Sequence, residues 1–284
     1  MNIKSVILIG VMGLFVLTGG LGTVQAAELK IIIMQDQAGV AQKYKPLVEY
    51  MKEKGIEISF VTAPGYSAAA DMFTTGTGSA MFSGSGVAGS LIIKGLASPL
   101  VRPVSENGNS TYWAVVIAKK GSPQFTASGN YFKGKKVALT PIASSGEFYL
   151  RSIDGHNSAA QIMKAASHDA AVDTVARGTA DIAVVKNRVW DKISSKYPNL
   201  EKIGEDKGEN PDNTLMVSKN ISGETAQKLK AAFLAVKTDS SAAAKAVRTG
   251  LGIQGYIETS DSDFRHTIAL LQNAGVNKSF NFKF

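Results

Sequence analysis

Short apolar segments alternate with amphipathic segments along most of the chain. A continuous apolar run is typical of a buried strand, and apolar positions at helical spacing are typical of a surface helix. In the first half the pattern predicts strands at 29–34, 56–61 and 79–82, and helices at 44–54, 66–75 and from the Ser-Gly repeat at 83–86 to residue 94. Strands that alternate with helices in this way predict α/β layers built on parallel strands.

The second half of the chain repeats the alternation. A strong strand pattern at 111–119 (TYWAVVIAK) ends where Gly121, Ser122 and Pro123 break it. The further predicted strands are 136–140, 164–167, 181–185, 200–204 and 214–218, and the further predicted helices are 147–153, 168–177, 223–236, 240–248 and 261–274.

Two segments look like copies of one unit. Residues 75–82 (TGTGSAMF) and residues 177–184 (RGTADIAV) each end a predicted helix and open a predicted strand. The repeat predicts two similar lobes, with the strands at 111–119 and 214–218 as the hinge between them. A cleft between two lobes is a favoured place for a ligand. The predicted first lobe is 27–118 with 216–284, and the predicted second lobe is 119–215.

The first 26 residues have the three parts of a secretory signal peptide. Lys4 precedes an apolar run over residues 6–17, and the small residues Val24 and Ala26 precede an expected cleavage after about Ala26. An uncleaved anchor is the alternative, but the apolar run falls short of the roughly 20 residues that span a bilayer. We therefore expect an exported protein, either free in the periplasm or secreted, without direct membrane insertion after cleavage.

The composition excludes several kinds of site. The 284 residues contain no cysteine and three histidines, which excludes a disulfide scaffold, a thiol nucleophile and a cysteine-ligated metal, so neither a cofactor nor a metal is predicted. Lys and Arg together number 31 against 23 acids, a formal charge of +8. Because no aromatic residues are interleaved with this mainly lysine charge, nucleic-acid binding is not predicted. The positive charge can still speed the capture of small anions.

The most informative short segment is 143–147 (ASSGE), which follows a predicted strand and opens a predicted helix. Ser144 and Glu147 have the spacing of a capping box, in which the serine oxygen accepts a first-turn amide. The open amides and the hydroxyls of Ser144 and Ser145 can hold an anion at the positive end of the helix. A capped helix without a ligand is the alternative, and these residues alone do not decide between the two.

Three other predicted helix starts carry candidate ligand contacts. The imidazole of His168 can donate to an oxyanion, or it can cap a surface helix. The phenol of Tyr66 can donate to an oxygen, or the ring can pack in the core. The small donors from Ser83 to Gly86 lack the lysine of a phosphate-binding loop, so a nucleotide site of that kind is not predicted.

Catalysis has little support in the sequence. The chain contains neither a Gly-x-Ser-x-Gly elbow nor a His-Glu-x-x-His helix. A hydrolase built on Ser145 and His168 would need an acid to orient the histidine, and Asp169 is too close in sequence to serve obviously. We therefore expect a binding protein and not an enzyme.

A series of short segments occurs in a specific order and spacing. They are YKPL at 44–47, APGY at 63–66, YW at 112–113, FKGKKV at 132–137, SSG at 144–146, His168, GTADIA at 178–183 and the ending from 223 to 284. In this order they resemble the periplasmic solute-binding proteins of phosphonate, phosphite and phosphate ABC transporters. The resemblance covers nearly the whole chain after the signal peptide.

The resemblance implies a type II periplasmic binding protein fold, in which two α/β lobes are joined by two hinge strands and a ligand cleft lies between them. It implies that Tyr66, Ser144, Ser145 and His168 hold an oxyanion. The full set of predicted ligand-binding residues is Tyr66, Phe82, Ser83, Ser144, Ser145, Gly146, His168 and Arg188.

The chain departs from the family pattern at four places. Ser79 stands where the family usually has an aspartate, and Phe82 stands where an aromatic hydroxyl is common. The places of the acids that hold the amine of aminoethylphosphonate carry Arg188 and Asn213, and Arg188 would repel an amine. A compact oxyanion, or a phosphonate with a second anionic group, is the expected ligand.

The resemblance also implies the partners. A monomeric protein would capture a small anionic ligand in the periplasm and deliver it to an ABC permease in the inner membrane. Two alternatives stay open from the sequence: a periplasmic ligand sensor of the same fold, and a binder of a different small solute.

Overall fold

The computed structural model describes residues 28–34, 39–140 and 144–283. The predicted signal peptide and its cleavage after Ala26 lie outside these residues. Within them, none of the helices combines the length and the apolar content that crossing a bilayer requires.

The described residues follow the predicted alternation of strands and helices. The strands are β1 (Leu29–Met34), β2 (Ile58–Ala63), β3 (Ala80–Ser83), β4 (Ala97–Ser105), β5 (Thr111–Tyr112), β6 (Ala114–Lys119), β7 (Lys136–Leu139), β8 (Gln161–Lys164), β9 (Ile182–Lys186), β10 (Leu200–Glu205), β11 (Asn210–Pro211), β12 (Thr214–Ser218) and β13 (Ile253–Glu258). The helices are α1 (Val40–Lys43), α2 (Lys45–Glu53), α3 (Tyr66–Thr74), α4 (Ser85–Ile93), α5 (Ser145–Ser152), α6 (Gly155–Ser158), α7 (His168–Ala176), α8 (Asn187–Ile193), α9 (Gly223–Ala235), α10 (Ala242–Leu251) and α11 (Arg265–Asn273). Short 3-10 turns cover Gly129–Phe132, Ser194–Lys196 and Asp261–Phe264.

The sequence pattern does not predict β4, β13 or α8. In β4, Pro99 and Pro103 interrupt the apolar pattern, and proline is uncommon inside a sheet. The strand nevertheless pairs with β12 on one side and β13 on the other, and the register shifts once in each pairing. Such bulges let a strand bend around residues that cannot donate a hydrogen bond. The strand predicted at 164–167 is also misplaced, because β8 ends at Lys164 and Ser167 instead caps α7.

The strands form two mixed sheets in the described part of the chain. The first has the order β13-β4-β12-β3-β1-β2, and the second has the order β10-β6-β9-β7-β8. In each sheet one half is parallel, β1 to β3 and β7 to β9, and the other half is antiparallel. Purely parallel layers are therefore a wrong expectation. The strands that follow the hinge segments, β12 in the first sheet and β6 in the second, are antiparallel to their neighbours β3 and β9 in the parallel halves.

The repeated sequence units occupy equivalent places in the two sheets. The segment at 75–82 leads into β3, and the segment at 177–184 leads into β9. Each of these strands lies between a parallel neighbour, β1 or β7, and an antiparallel neighbour, β12 or β6. The short sequence likeness thus marks the same position in two similarly built sheets.

The chain crosses between the sheets at β5 and β11, which pair antiparallel with each other. All of β6 belongs to the second sheet and all of β12 belongs to the first. The strands predicted as the hinge, at 111–119 and 214–218, are therefore mostly sheet strands, and the crossing itself consists of two paired dipeptides. This pairing favours lobe boundaries at β5 and β11 rather than after residues 118 and 215.

Helices cover both faces of each sheet. In the first sheet, α2, α9 and α10 pack on one face and α3 and α4 on the other, so Ile31 and Ile33 face one core while Ile32 faces the second. In the second sheet, α7 and α8 cover one face and α5 covers the other. Burial of both faces accounts for the continuous apolar runs in the parallel strands.

Helix α11 joins the two halves of the molecule. In sequence it comes after β13, a strand of the first sheet. Its residues Leu270 and Leu271, and Val276 just beyond it, nevertheless pack into the core between α5 and the second sheet. Its Thr267 is buried and donates a hydrogen bond from its hydroxyl to the side-chain carbonyl of Asn210 in β11, at 2.7 Å. The amide of Asn210 in turn donates to the backbone carbonyl of Tyr112 in β5. The back of the hinge is thereby held to α11.

Replacing Thr267 by valine tests this contact. The change keeps the shape of the side chain but leaves the buried Asn210 carbonyl without its donor, so we expect a loss of about 1–3 kcal/mol in the free energy of unfolding. The measurement is urea unfolding of Thr267→Val beside Thr249→Val, a matched change at an exposed position of α10. Equal effects of the two substitutions would show that the hydrogen bond contributes nothing.

Candidate functional site

A cavity of about 480 Å³ lies between the two sheets. Its walls come from the carboxyl ends of parallel strands: Met34 ends β1, Gly84 follows β3, and Lys186 ends β9. Open α/β sheets bind ligands at this edge, and a volume of roughly 300–1,000 Å³ is usual for a small-molecule site. This cavity is the candidate functional site.

The structure brings five of the eight predicted residues together here. Tyr66, Phe82, Ser144, Ser145 and His168 line the cavity. The other three, Ser83, Gly146 and Arg188, lie close by in sequence or space but are not among the described residues that form its surface.

The start of α5 presents Ser145 to the cavity. Ser144 caps the helix: its hydroxyl oxygen accepts the amide of Glu147 at 3.2 Å, and its proton goes to the carbonyl of Thr140. The capping alternative therefore describes the Ser144 side chain well. The hydroxyl of Ser145 is buried and has no hydrogen-bond partner among the described residues. Because a buried hydroxyl without a partner costs about 1–3 kcal/mol, this atom points to a ligand.

Gly146 sets the position of that helix start. A Cβ atom at this position would lie 2.2 Å from the backbone carbonyl oxygen of Val184 in β9. Only glycine allows α5 to approach the sheet so closely, and this approach places the neighbouring Ser145 at the cavity. The structure thus gives Gly146 a packing role, and its contact with a ligand stays a prediction.

His168 is the first residue of α7 and is not its cap. Ser167 is the cap, and its hydroxyl accepts the amide of Ala170. The ring of His168 lines the cavity, and its Nδ1 atom is buried without a hydrogen-bond partner in the described structure. Burial, and to a lesser degree the charge of Lys186, lowers the pKa of His168 to about 4. The imidazole is therefore neutral at pH 7 and can donate one hydrogen bond.

Aromatic side chains form the wall that belongs to the first sheet. Tyr66 opens α3, packs partly against the core and also lines the cavity, and its donation to a ligand stays a prediction. Phe82 is buried and stacks on Tyr44, with ring centroids 5.6 Å apart. This wall offers a ligand an apolar surface beside its hydrogen-bond donors.

The start of α4 is occupied by the hinge. The amide of Ser85 donates to the phenol oxygen of Tyr112 at 3.3 Å, and the Ser85 hydroxyl donates to the carbonyl of Pro211. Ser83 is buried, and its hydroxyl donates to the carbonyl of Gly84. The segment 84–89 (GSGVAG) has Gly-x-Gly-x-x-Gly spacing after a strand, but its first turn holds the hinge and Gly89 packs against α11. This helix start serves structure, and a ligand role for Ser83 stays a prediction.

Three charged side chains meet beside the hinge. Asp212 accepts a hydrogen bond from Lys186 on one carboxylate oxygen and from Arg188 on the other, each at 2.8 Å. Arg188 also donates to the carbonyl of Thr111 in β5. Arg188 thus contacts the hinge and is not among the described residues that line the cavity, so its ligand contact stays a prediction, while Lys186 and Asp212 do line the cavity.

Sequence reasoning missed several lining residues. Lys43, Tyr112, Lys186 and Asp212 all contribute polar groups to the cavity. Lys186 could have been found, because it directly follows the apolar run of β9 at the carboxyl edge. Asp212 directly precedes Asn213, and both residues line the cavity. The position of Asp212 depends on the pairing of β5 with β11, which no local pattern shows.

The site as a whole suits a small anion. The first turns of α3, α5 and α7 meet at the cavity, and first-turn amides carry partial positive charge. Among the described residues that line the cavity, the charged ones are two lysines, Lys43 and Lys186, and one acid, Asp212. Burial raises the pKa of Tyr112, so its phenol stays protonated. Hydroxyls, a neutral imidazole and amides can bind an oxyanion.

Comparison with known proteins gives a family and a set of similar folds. The sequence model of the family described as "ABC transporter, phosphonate, periplasmic substrate-binding protein" matches residues 29–264. No curated protein sequence matches the chain.

Three solved structures illustrate the likeness in fold. XAC2383 from Xanthomonas citri, bound to a chloride ion, is 18% identical with a TM-score of 0.72, over 87% of this chain and 97% of that one. A binding protein component of an ABC phosphonate transporter, PA3383 from Pseudomonas aeruginosa, is 17% identical with a TM-score of 0.66, over 87% and 86%. PhnD1 from Prochlorococcus marinus, in complex with methylphosphonate, is 14% identical with a TM-score of 0.67, over 87% and 98%.

The lowered pKa of His168 predicts a pH dependence of stability. An ordinary histidine has a pKa of 6.5, so between pH 6.5 and about 4 the unfolded chain takes up a proton at this residue that the folded protein does not. The contribution of neutral His168 is fully present above that range and is lost as the pH falls. We expect the stability of wild type relative to His168→Gln to decrease from pH 7 to pH 4. A difference that stays constant over this range in urea titrations would contradict the prediction.

A second prediction concerns Gly146. The Gly146→Ala change forces a methyl group against the Val184 carbonyl, so we expect a loss of about 1–3 kcal/mol or more in the free energy of unfolding. Gly223→Ala is the control, because Gly223 also opens a helix, α9, and a Cβ atom there meets open space. Urea unfolding of both variants checks the difference. Equal stabilities would mean that α5 can move away from β9 without loss.

Proposed function

The chain belongs to the family of periplasmic substrate-binding proteins of phosphonate ABC transporters, and from this premise we propose that its cavity captures a small phosphorus oxyanion such as a phosphonate, phosphite or phosphate. The resemblance seen in the sequence is thereby confirmed, and so is the two-lobed type II periplasmic binding fold. Members of this family carry ligands for transport and are not enzymes.

One observation carries the proposal for this cavity. The hydroxyl of Ser145 and the Nδ1 atom of His168 are buried, have no hydrogen-bond partner among the described residues, and belong to residues that line the same cavity. Proteins rarely leave such groups unsatisfied. An oxyanion at the starts of α5 and α7 would satisfy the hydroxyl and would accept the first-turn amides that neither cap uses.

A tetrahedral oxyanion fits this set of donors. Its oxygens can accept from the hydroxyl of Ser145, from the neutral imidazole of His168 and from the phenol of Tyr66 on the opposite wall. The apolar wall around Phe82 leaves room for an organic substituent. That PhnD1, a protein of similar fold, is in complex with methylphosphonate supports an alkylphosphonate as the first ligand to test.

Closure of the two lobes on the ligand follows from where the donors lie. Tyr66 lies in α3, which packs on the first sheet, whereas Ser145 and His168 lie in α5 and α7, which pack on the second. A ligand held by both sides favours the closed arrangement, because it gains contacts there that it lacks in the open one. The paired dipeptides β5 and β11 are the places where rotation would occur.

The family implies a permease as the partner that receives the ligand. In the proposed cycle the protein works as a monomer in the periplasm, after removal of the signal peptide at about Ala26. The closed protein docks on the ABC permease in the inner membrane and releases the anion to it.

Ser145→Ala is the sharpest test of the site. We expect the dissociation constant for methylphosphonate to rise about 5- to 150-fold, because a charge-assisted hydrogen bond of about 1–3 kcal/mol is lost. The stability of the ligand-free protein should stay the same or increase, because the variant removes a buried hydroxyl that has no partner. Isothermal titration calorimetry and urea unfolding measure the two effects on one preparation.

Ser152→Ala is the matched control. Ser152 ends the same helix, and its hydroxyl donates to the carbonyl of Tyr149 rather than toward the cavity. Unchanged methylphosphonate affinity in Ser145→Ala, or an equal loss in Ser152→Ala, would remove Ser145 from the site. If wild-type protein binds none of methylphosphonate, phosphite and phosphate in calorimetry, the proposed ligand class is wrong.

A further inference from the structure

The three charged groups beside the hinge form one compact cluster at the cavity wall, the Lys186–Asp212–Arg188 cluster. Both oxygens of the Asp212 carboxylate are occupied, Oδ1 by Lys186 and Oδ2 by Arg188. The side chains are largely buried, with exposed fractions of 23% for Lys186, 17% for Asp212 and 26% for Arg188. Two cations share one carboxylate, so the cluster carries a net formal charge of +1 at neutral pH.

Lys186 is the member of the cluster that faces the ligand. It lines the cavity, and its Nζ atom lies 4.2 Å from the centre of the Tyr112 ring. It is close enough to His168 for its charge to contribute to the low pKa of that imidazole. Lys186 therefore lies at the cavity wall near His168 and beside the hinge, so its charge acts on a ligand held at the start of α7.

The remaining charged residue that lines the cavity, Lys43, does not change the sign of the net charge there. Lys43, on the first sheet's side, adds a further positive charge, and His168 is neutral at pH 7. Among the described lining residues Asp212 is the one acid, and both of its oxygens already hold cations. An ammonium group entering the cavity would meet an acid that is already neutralised and a lysine that repels it.

We infer that the Lys186–Asp212–Arg188 cluster sets the charge that the ligand's substituent can carry: it excludes substituents with an ammonium group and admits neutral or anionic ones. The inference rests on the proposed function, because it concerns the substituent of the same bound oxyanion. It makes Lys186 and Asp212 specificity-determining residues, and it gives Arg188 the supporting role of holding Asp212 at the hinge.

A matched pair of ligands isolates the charge of the substituent. Propylphosphonate and 2-aminoethylphosphonate have nearly the same shape and differ by a terminal methyl against a terminal ammonium. We expect wild-type protein to bind propylphosphonate at least about tenfold more tightly, since like charges at short range in a partly buried site repel by about that factor. Calorimetry at pH 7.5 gives both dissociation constants, and their ratio is the readout.

Two substitutions move the charge of the cluster in opposite directions. Lys186→Met lowers its net charge from +1 to 0, so the preference for propylphosphonate should fall toward equality. Asp212→Asn raises the net charge from +1 to +2, so the preference should increase. Because the two variants are expected to change the ratio in opposite senses, a general loss of structure cannot imitate the result.

Lys192→Met is the control for charge alone. Lys192 lies in the last turn of α8 and is exposed, so its replacement by methionine removes one positive charge outside the cavity. The ratio should not change in this variant. Circular dichroism and thermal unfolding of each variant confirm that the folded protein is being titrated.

The outcomes separate this inference from the proposed function. A ratio that is the same in wild type, Lys186→Met and Asp212→Asn overturns the inference, and so does a wild-type protein that binds methylphosphonate but neither member of the pair. In both of these cases the proposed function stands, because a phosphonate is still bound. Wild-type protein that binds no phosphorus oxyanion overturns the proposed function itself.

Discussion

The first turn of an α-helix presents backbone N–H groups that the helix cannot satisfy, and this protein gathers such turns around one cavity. In α5 and α7 the capping serines Ser144 and Ser167 each accept the third amide of the helix and leave the first two. The strand that precedes each helix belongs to the parallel half of a sheet, so the helix starts meet at one edge. The ligand site is in this sense a product of topology, and the side chains of Ser145 and His168 add to it.

The helix start at α4 shows what happens when the same groups find partners inside the protein. There Ser85 donates its amide to the phenol oxygen of Tyr112 and its hydroxyl to the carbonyl of Pro211, one residue from each hinge dipeptide. The hinge is also fastened from the second sheet through Arg188 and from α11 through Thr267 and Asn210. The two-stranded connection therefore receives hydrogen bonds from α4, α8 and α11. Arg188, which makes one of these contacts, also binds Asp212, the carboxylate that it shares with Lys186 at the cavity wall.

Much of the fold could be predicted from the sequence because the parallel halves of both sheets follow local rules. Apolar runs, glycine-ended helices and serine caps place β1 to β3 and β7 to β9 within a few residues. The antiparallel halves were harder, because β4 contains two prolines and takes its place only through bulged pairing with β12 and β13. Ser145 and His168 could be found as residues that open helices. Asp212 could not be found, because it reaches the cavity only when the two distant dipeptides β5 and β11 pair. The choice between Arg188 and Lys186 as a lining residue could not be made either, because the sequence does not show which of the two side chains faces the cavity.

The position of α11 near the end of the chain has a consequence for folding during synthesis. Residues 114–205 form a continuous five-stranded unit that looks able to stand alone, yet its core includes Leu270, Leu271 and Val276. Until the last tenth of the polypeptide has been synthesised, that core has an uncovered apolar side. The excised unit would share this exposed surface and would tend to aggregate, and a chain shortened before Arg265 would lose packing in the half of the molecule that lies farther away in sequence.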